Sequence, residues 1–573
     1  MSSLLHPLLD RLRLSQKRSV EDTLRDVTVR TQIIQDFQPL VTSLEWELSN
    51  LFWATEGTRP FAANQVPFIV NNSGRLSESA AVCLFYNCLE ADSLEDQIEV
   101  LELGAGSGLF ARYVLDAFRA ICLQEDRDFY QRLIYFVSDH SRRTVEQWRE
   151  QEVFAEHADR VVVGTCDSMQ PADFRDLEGN PIRFGFLRAV FANYALDVLP
   201  AAIIRTGLEG LEQLCVRTRL TSDGGLLSRY SPLSLDEILA VANAGSSADR
   251  GGLLPLLPLL EFETAYRPLA SPDLLPYRAE AIEFGRDLEK FTINYGAIEC
   301  LERLLPRLQR DGFALINDYG PVSREQVAGQ ASLQRFGASI ALGLNFPFLE
   351  YHFARRGEIV VKPQGEDANP VQARLICRVE CQRTRETFER FFGSAGSERI
   401  ESLVESALRH AAAGRYNEAL ESYHTALERH PRDWNLIGQV AEFVALQIRD
   451  FQAGVELSRA ALELNPWYSA WLWNVLGDSL FCLDRFDEAH EAYLQAGRIA
   501  PDDVRTNFNL SYTYFQRGAY RDALTAIAHG LAMDSAGAYR ERLINKQQQI
   551  LTAISDRLAG EQERLLKRAA AFA

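Results

Sequence analysis

The chain has 573 residues, 47% hydrophobic and 24% charged, an ordinary globular composition with room for roughly two to four domains. Its net charge of −19 is spread along the sequence with no basic stretch to offset it, which argues against a nucleic-acid partner. There is no run of about 18 uncharged apolar residues to suggest a membrane span, and the richest stretch, Leu253 to Leu260, is short and broken by Pro255 and Pro258.

At the N-terminus, basic residues among leucines in Met1 to Val20 give a faint transit-peptide character, but the acids Glu21, Asp22 and Asp26 continue the same helical pattern. A surface helix and a cytoplasmic location are therefore expected, with a mitochondrial one as the alternative. Residues 1–58 read as a helical segment. The stretch Arg59 to Arg75, with prolines and asparagines, reads as non-helical chain lying across the mouth of a ligand site. Nine cysteines run from Cys83 to Cys482 with no Cys-x-x-Cys pair, which fits buried thiols and no metal centre.

A helix from Ser77 to Leu89 leads to the stretch on which the front half turns. A short apolar run, Val100 to Leu103, carries Glu102, breaks at Gly104, Gly106 and Gly108, and resumes as a helical pattern through Phe110, Val114 and Phe118. Strand, glycine turn and helix start together bring backbone N–H groups close to a polar or anionic ligand. The dinucleotide fingerprint would need glycine where Leu109 stands, so a different nucleotide-like ligand is implied. A tight turn without ligand is the plain alternative.

Strands and helices then alternate: Leu133 to Ser138, a helix to about Ala155, Arg160 to Gly164, and Phe184 to Phe191. That order predicts a parallel sheet with helices on both faces and a ligand at the carboxyl ends of the strands. Asp139 stands at the second such end, suited to accept from two ribose hydroxyls; Asp167 and Ser168 stand at the third, and Asn193 at the fourth. Each acid taken alone could equally be a helix cap or a solvated loop residue.

The turn Glu102-x-Gly104-x-Gly106-x-Gly108 resembles the first motif of class I S-adenosylmethionine-dependent methyltransferases. Within these, residues 60 to 350 resemble the MidA family, which includes a mitochondrial arginine methyltransferase. Four segments carry the likeness: Asp139 to Gln147, Ala192-Asn-Tyr-Ala-Leu-Asp-Val-Leu-Pro200, the hairpin-like Leu211 to Ser231 with its turn at Ser222 to Gly225, and Gly312 to Gly320 with Asp318-Tyr-Gly. The resemblance implies S-adenosylmethionine as cofactor, held by Glu102, Gly104, Gly106, Gly108, Asp139, Asp167 and Ser168. Asn193, Asp197 and Asp318 are the implied catalytic residues. Two departures stand out: Tyr194 replaces a family Glu, and Asn345 lies where the family has an acid-rich segment. The first removes a carboxylate that could orient or deprotonate a guanidinium, leaving the acceptor open.

Residues 231–291, rich in Leu, Pro and Ala, read as an insertion covering the substrate, or as a loop packed for stability. Glu358 to Lys362 and Ala373 to Val379 read as an antiparallel edge hairpin that completes a domain over 59–392. After an exposed linker, Gly393 to Ser397, residues 397–573 turn alanine-rich and repetitive, with Pro431, Pro466 and Pro501 evenly spaced. Trp473, Leu476, Gly477, Ala489, Tyr493, Ala496 and Pro501 fill a tetratricopeptide (TPR) pattern, while Glu442 and Gly454 make the preceding unit degenerate. An all-α solenoid closed by a capping helix over Ala538 to Arg568 is expected, with a protein or peptide as its partner. The expected whole is a Rossmann-like α/β methyltransferase domain followed by a TPR solenoid. A non-catalytic platform and a small-molecule methyltransferase are the alternatives.

Overall fold

A computed structural model describes residues 31–63, 73–92, 94–207, 210–269, 275–363, 365 and 371–572. The expectations for Met1 to Asp26, for the middle of Arg59 to Arg75 and for the edge-hairpin turn fall largely outside these residues. The chain divides into two compact units: one holds 1–58, 70–72 and 76–398, the other 59–69, 73–75 and 399–573.

The first unit opens with a difference from expectation. Thr31–Pro39 is a strand, β1, followed by helix α1 (Leu44–Glu56). The strand forms because β1 has a long neighbour to pair with, a non-local partner that outweighs the helical reading of the segment. After α2 (Arg75–Glu90) come β2 (Ile98–Leu103), α3 (Leu109–Gln124), β3 (Leu133–Asp139), α4 (Arg142–Glu150), β4 (Val161–Thr165) and β5 (Leu187–Asn193). Then follow β6 (Ala202–Gly207), β7 (Gly210–Thr221), α5 (Leu235–Ala244), β8 (Leu260–Pro268), β9 (Lys290–Ile293), α6 (Tyr295–Leu304) and β10 (Leu308–Asp318). The unit ends with α7 (Phe346–Arg355), β11 (Ile359–Val361) and β12 (Gln372–Cys377).

The main sheet has the order β11-β12-β10-β5-β2-β3-β4, extended by two two-residue strands at Phe174–Arg175 and Pro181–Ile182. Strands β10, β5, β2, β3 and β4 are mutually parallel, and β12 and β11 add antiparallel at the edge. The central strands carry near-continuous apolar runs because both faces are covered; Leu101, Val190 and Ile316 are buried with Leu301 of α6 and Phe346 of α7. Strand order reverses between β2 and β5, and this switch point opens the crevice at their carboxyl ends.

A second, antiparallel sheet forms from β1, β7, β6 and β9, with β8 also paired to β7. The 12-residue β7 shares one edge between β6 and β1 and gives the other to β8. The hairpin therefore turns between Gly207 and Gly210, not at Ser222 to Gly225. That second segment starts a helical turn instead, because the Asp223 carboxylate accepts from the N–H groups of Gly225 and Leu226 and so caps it. The insertion's leucines, Leu253, Leu256, Leu257 and Leu259, are buried against Ile34, Leu44 and Leu48. They are core of this second sheet.

In the second unit, α8 (Ser394–Ala412), α9 (Tyr416–Arg429), α10 (Trp434–Phe443), α11 (Phe451–Leu464), α12 (Ala470–Cys482), α13 (Phe486–Ile499), α14 (Val504–Gln516), α15 (Tyr520–Met533) and α16 (Arg540–Phe572) follow in sequence. The expected linker is helical from Ser394 onward. The α12–α13 pair closes on a small residue: a Cβ at Gly477 would meet the Tyr493 ring at 2.4 Å. The degenerate repeat shows why its pattern departs. A π-helical turn at Val444–Ile448 brings Ala445 so near Gly454 that a Cβ there would lie 2.9 Å away.

Asp433 caps α10 through Asn435 and Leu436 and takes Arg75 Nε at 2.6 Å. Arg59–Ala62 is a short helical turn in this same unit, where the sequence predicts none. Pro60 fits because the first helical turn needs no donor from it. Trp434 is core, whereas the indole N–H groups of Trp471 and Trp473 donate to Glu442 and the Pro466 carbonyl. Phe61, Trp434, Tyr468, Trp471, Asn474 and Arg505 help line a cavity of about 650 Å³.

Candidate functional site

At the end of β2, Gly104, Gly106 and Gly108 all take positive φ, at 60°, 54° and 76°. A side chain would be strained at each, and space is short as well. A Cβ at Gly104 would lie 3.0 Å from that of Ala195, and one at Gly108 3.0 Å from the Phe154 ring. Trp148, on α4, donates its indole N–H to the Gly106 carbonyl at 2.9 Å and so clamps the loop. Sequence reading missed this residue; its spacing of seven from the cap Ser141 places it on the cap's face of α4, two turns on.

Asp139, at the end of β3, binds both sides of the turn. One carboxylate oxygen accepts from Gly106 N at 3.0 Å and the other from Ser141 N at 2.9 Å. Burial raises its pKa, and these two N–H groups oppose the rise. Each oxygen keeps a further acceptor position, so two vicinal hydroxyls can still be met. Gln147, two turns along the same helix, accepts from the backbone and hydroxyl of Thr58.

Glu102 is 1% exposed and accepts from the Tyr135 hydroxyl at 2.9 Å. Burial pushes its pKa up to about 8, against the lowering effect of Tyr135 and Asn193, so it holds its proton at neutral pH. It joins β2 to β3 from within. Cys166 N donates to the Asp139 carbonyl, which sets the end of β4 beside that of β3. There Asp167 is exposed and accepts from Met169 N in a local turn, with Ser168 partly exposed next to it.

On the other side of the switch point, Asn193 and Asn317 are register partners across β5 and β10, and Asn317 Nδ2 donates to Asn193 Oδ1 at 2.7 Å. Tyr194 follows with φ 49°, its N–H on the Asn317 carbonyl and its ring 5.8 Å from that of Tyr319. The two carboxylates given one shared role by sequence have different surroundings. Asp318 is fully buried and accepts from three backbone N–H groups, those of Tyr319, Leu196 and Asp197. It positions the turn that carries Asp197. Asp197 is 2% exposed and keeps one oxygen, Oδ1, without a hydrogen-bond partner among the described residues. Burial raises both acids, and for Asp318 the neighbouring Asp197 adds to the rise.

Asn345 has a structural task. Its side chain caps α7 by accepting from Phe348 N and donates to the Thr292 carbonyl, while its backbone N–H donates to Asn294 Oδ1. An amide serves all of this better than a carboxylate, which could not donate. Asn317 and Tyr319 were visible only as neighbours of Asp318, with no signal of their contacts.

The crevice suits a nucleoside-bearing ligand. Its glycine turn would close on any Cβ, Asp139 has acceptor capacity to spare, and two buried oxygens, Asp197 Oδ1 and Asn317 Oδ1, have no partner among the described residues. Residues 81–345 match the family model described as "Putative S-adenosyl-L-methionine-dependent methyltransferase". A Burkholderia thailandensis structure bound to S-adenosyl-homocysteine aligns at 16% identity with a TM-score of 0.40, covering 63% of this chain and 92% of its own. A thermophilic TPR protein of Thermus thermophilus aligns at 16% identity and a TM-score of 0.23, over 30% of this chain and 98% of its own. The peroxisomal targeting signal receptor of Candida albicans is 36% identical over 84 residues, which is 15% of this chain. The chain spans only 14% of that relative's length. The match covers a little under half of the chain, and it makes the region 81–345 similar to the family so described.

Proposed function

We propose that the chain methylates a polypeptide acceptor that its repeats recruit. The observation that carries this reading is the meeting of three features at one switch point: the glycine turn, Asp139, and the unpaired carboxylate oxygen of Asp197. When bound, S-adenosylmethionine supplies a methyl group on a sulfonium, open to in-line displacement. The glycine turn, Asp139 and Trp148 hold and orient the donor. Asp318 keeps the 195–198 turn in place through its backbone bonds. Asp197 accepts a hydrogen bond from the acceptor and takes its proton as the methyl group moves. The cavity in the repeat unit offers aromatic and amide groups suited to an extended peptide.

Titration with S-adenosylmethionine tests the first step, and absence of binding at millimolar donor overturns the reading. Incubation with methyl-labelled donor and a cell extract tests the second. A labelled protein band of defined mass supports the proposal; label confined to small molecules overturns the polypeptide acceptor. Binding without any label favours a second reading, a non-catalytic platform. The observation behind it is Tyr194, whose ring lies tilted beside that of Tyr319 where the family carries a carboxylate.

A further inference from the structure

The capping helix α16 carries two apolar stripes, and among the described residues only one is used. Leu543 and Ile550 are fully buried with Ala523 and Ile527 of α15. One position further round, Ile544, Leu551, Leu558 and Leu565 are 39%, 51%, 61% and 65% exposed. They recur every seven residues along roughly 32 Å of helix. Leu566, 63% exposed, broadens the far end. A seven-residue period drifts on a straight helix by about 20° per repeat, so a partner tracks it only by winding round it as another helix.

The charges beside this stripe are segregated. Asp556, Glu561 and Glu563, with one base, Arg557, precede Arg564, Lys567 and Arg568. Two ion pairs on this stretch, Arg557 with Glu561 and Lys567 with Glu563, are both exposed within the helix. A parallel second helix would set basic block against basic block. An antiparallel one sets each basic block beside an acidic one, with Asp556 opposite Lys567 and Leu558 opposite Leu565 about a two-fold axis between residues 561 and 562.

We infer that α16 pairs in antiparallel fashion with α16 of a second copy of this chain through the C-terminal half of the stripe, Leu558 of each copy against Leu565 of the other, giving a homodimer. This is independent of the chemistry proposed for the sheet unit.

Light scattering on the eluting full-length protein at tens of micromolar tests it. The expected mass is twice the 64.6 kDa of the chain. The exposed-site variant Leu558→Asp/Leu565→Asp should run at the single-chain mass, with unchanged circular dichroism and unchanged donor binding. A single-chain mass for the natural protein, whether or not some other protein captures the helix, overturns the inference, as does a variant that still dimerises. Orientation is read in a Cys482→Ser background. A mixture of Leu558→Cys and Leu565→Cys chains should form the mixed disulfide on oxidation. Cross-linking of Leu558→Cys to itself alone would overturn the antiparallel arrangement.

Discussion

The two units assemble their polar networks over different distances along the chain. In the sheet unit, Gly104, Asp139, Asn193 and Asp318 meet because parallel strands end at one edge, each contact spanning one or more crossover helices. In the repeats, Arg505 joins Glu442 and Asp478, while Asn509 joins Asn474 and Asp478, all across alternate helices of one stack. Strand register makes the first network all-or-none, because a one-residue slip turns each side chain to the other face. Nearest-neighbour stacking makes the second divisible. Damage should therefore spread further in the first than in the second.

The largest effect is expected from Gly104→Val. The new side chain meets a left-handed backbone and the Ala195 Cβ at once, which should cost roughly 2–4 kcal/mol and displace the turn. Calorimetric titration should then detect no binding of S-adenosylmethionine, and the melting temperature should fall. Retained binding would show that the turn is not shaped for a ligand.

Next, the two carboxylates should separate by assay. Asp197→Asn should lower turnover by about 10²–10⁴ with little loss of stability. Asp318→Asn, which weakens acceptance from three backbone N–H groups, should cost about 1–3 kcal/mol in denaturant unfolding and lower turnover only through the displaced turn. Equal behaviour in both assays would erase the distinction between them.

A pH profile sharpens the same contrast. Asp197 is pushed up to about 6 by burial, above the ordinary Asp value of about 3.9. The folded protein thus holds this proton more tightly than the unfolded chain does. Its contribution to stability is present below about pH 4 and is lost as pH rises towards 6. Turnover should move oppositely, rising through about pH 6 as Asp197 becomes the base, and Asp197→Asn should flatten that limb.

The smallest and most local effect is expected in the repeats. Arg505→Ala leaves Glu442 and Asp478 without their shared cation and should cost about 1–3 kcal/mol. Hydrogen exchange should rise in α12 and α14 while the glycine turn of the sheet unit and its donor affinity stay unchanged.

The contrast also sorts what could be read from residues alone. The glycine turn, the alternation of parallel strands with helices, the edge hairpin and the repeats were legible because each follows from local periodicity or turn chemistry. The strand β1 was not, since Thr31–Pro39 pairs with β7 nearly two hundred residues away and nothing local announces that partner. The leucines of the insertion read as cover or as packing, and only their contacts with Ile34, Leu44 and Leu48 made them core of a second sheet.

Sequence by itself determined that Gly104, Gly106 and Gly108 make a strand-to-helix turn, because only glycine takes three left-handed positions so close together without strain. It also determined which acids stand at strand ends. What each acid does was decided by tertiary structure alone. Glu102 and Asp318 lie inside, satisfied by Tyr135 and by backbone N–H groups, while Asp197 keeps an oxygen free. The physical reason is that a carboxylate's role depends on its donors and its desolvation, and both come from residues distant in the chain.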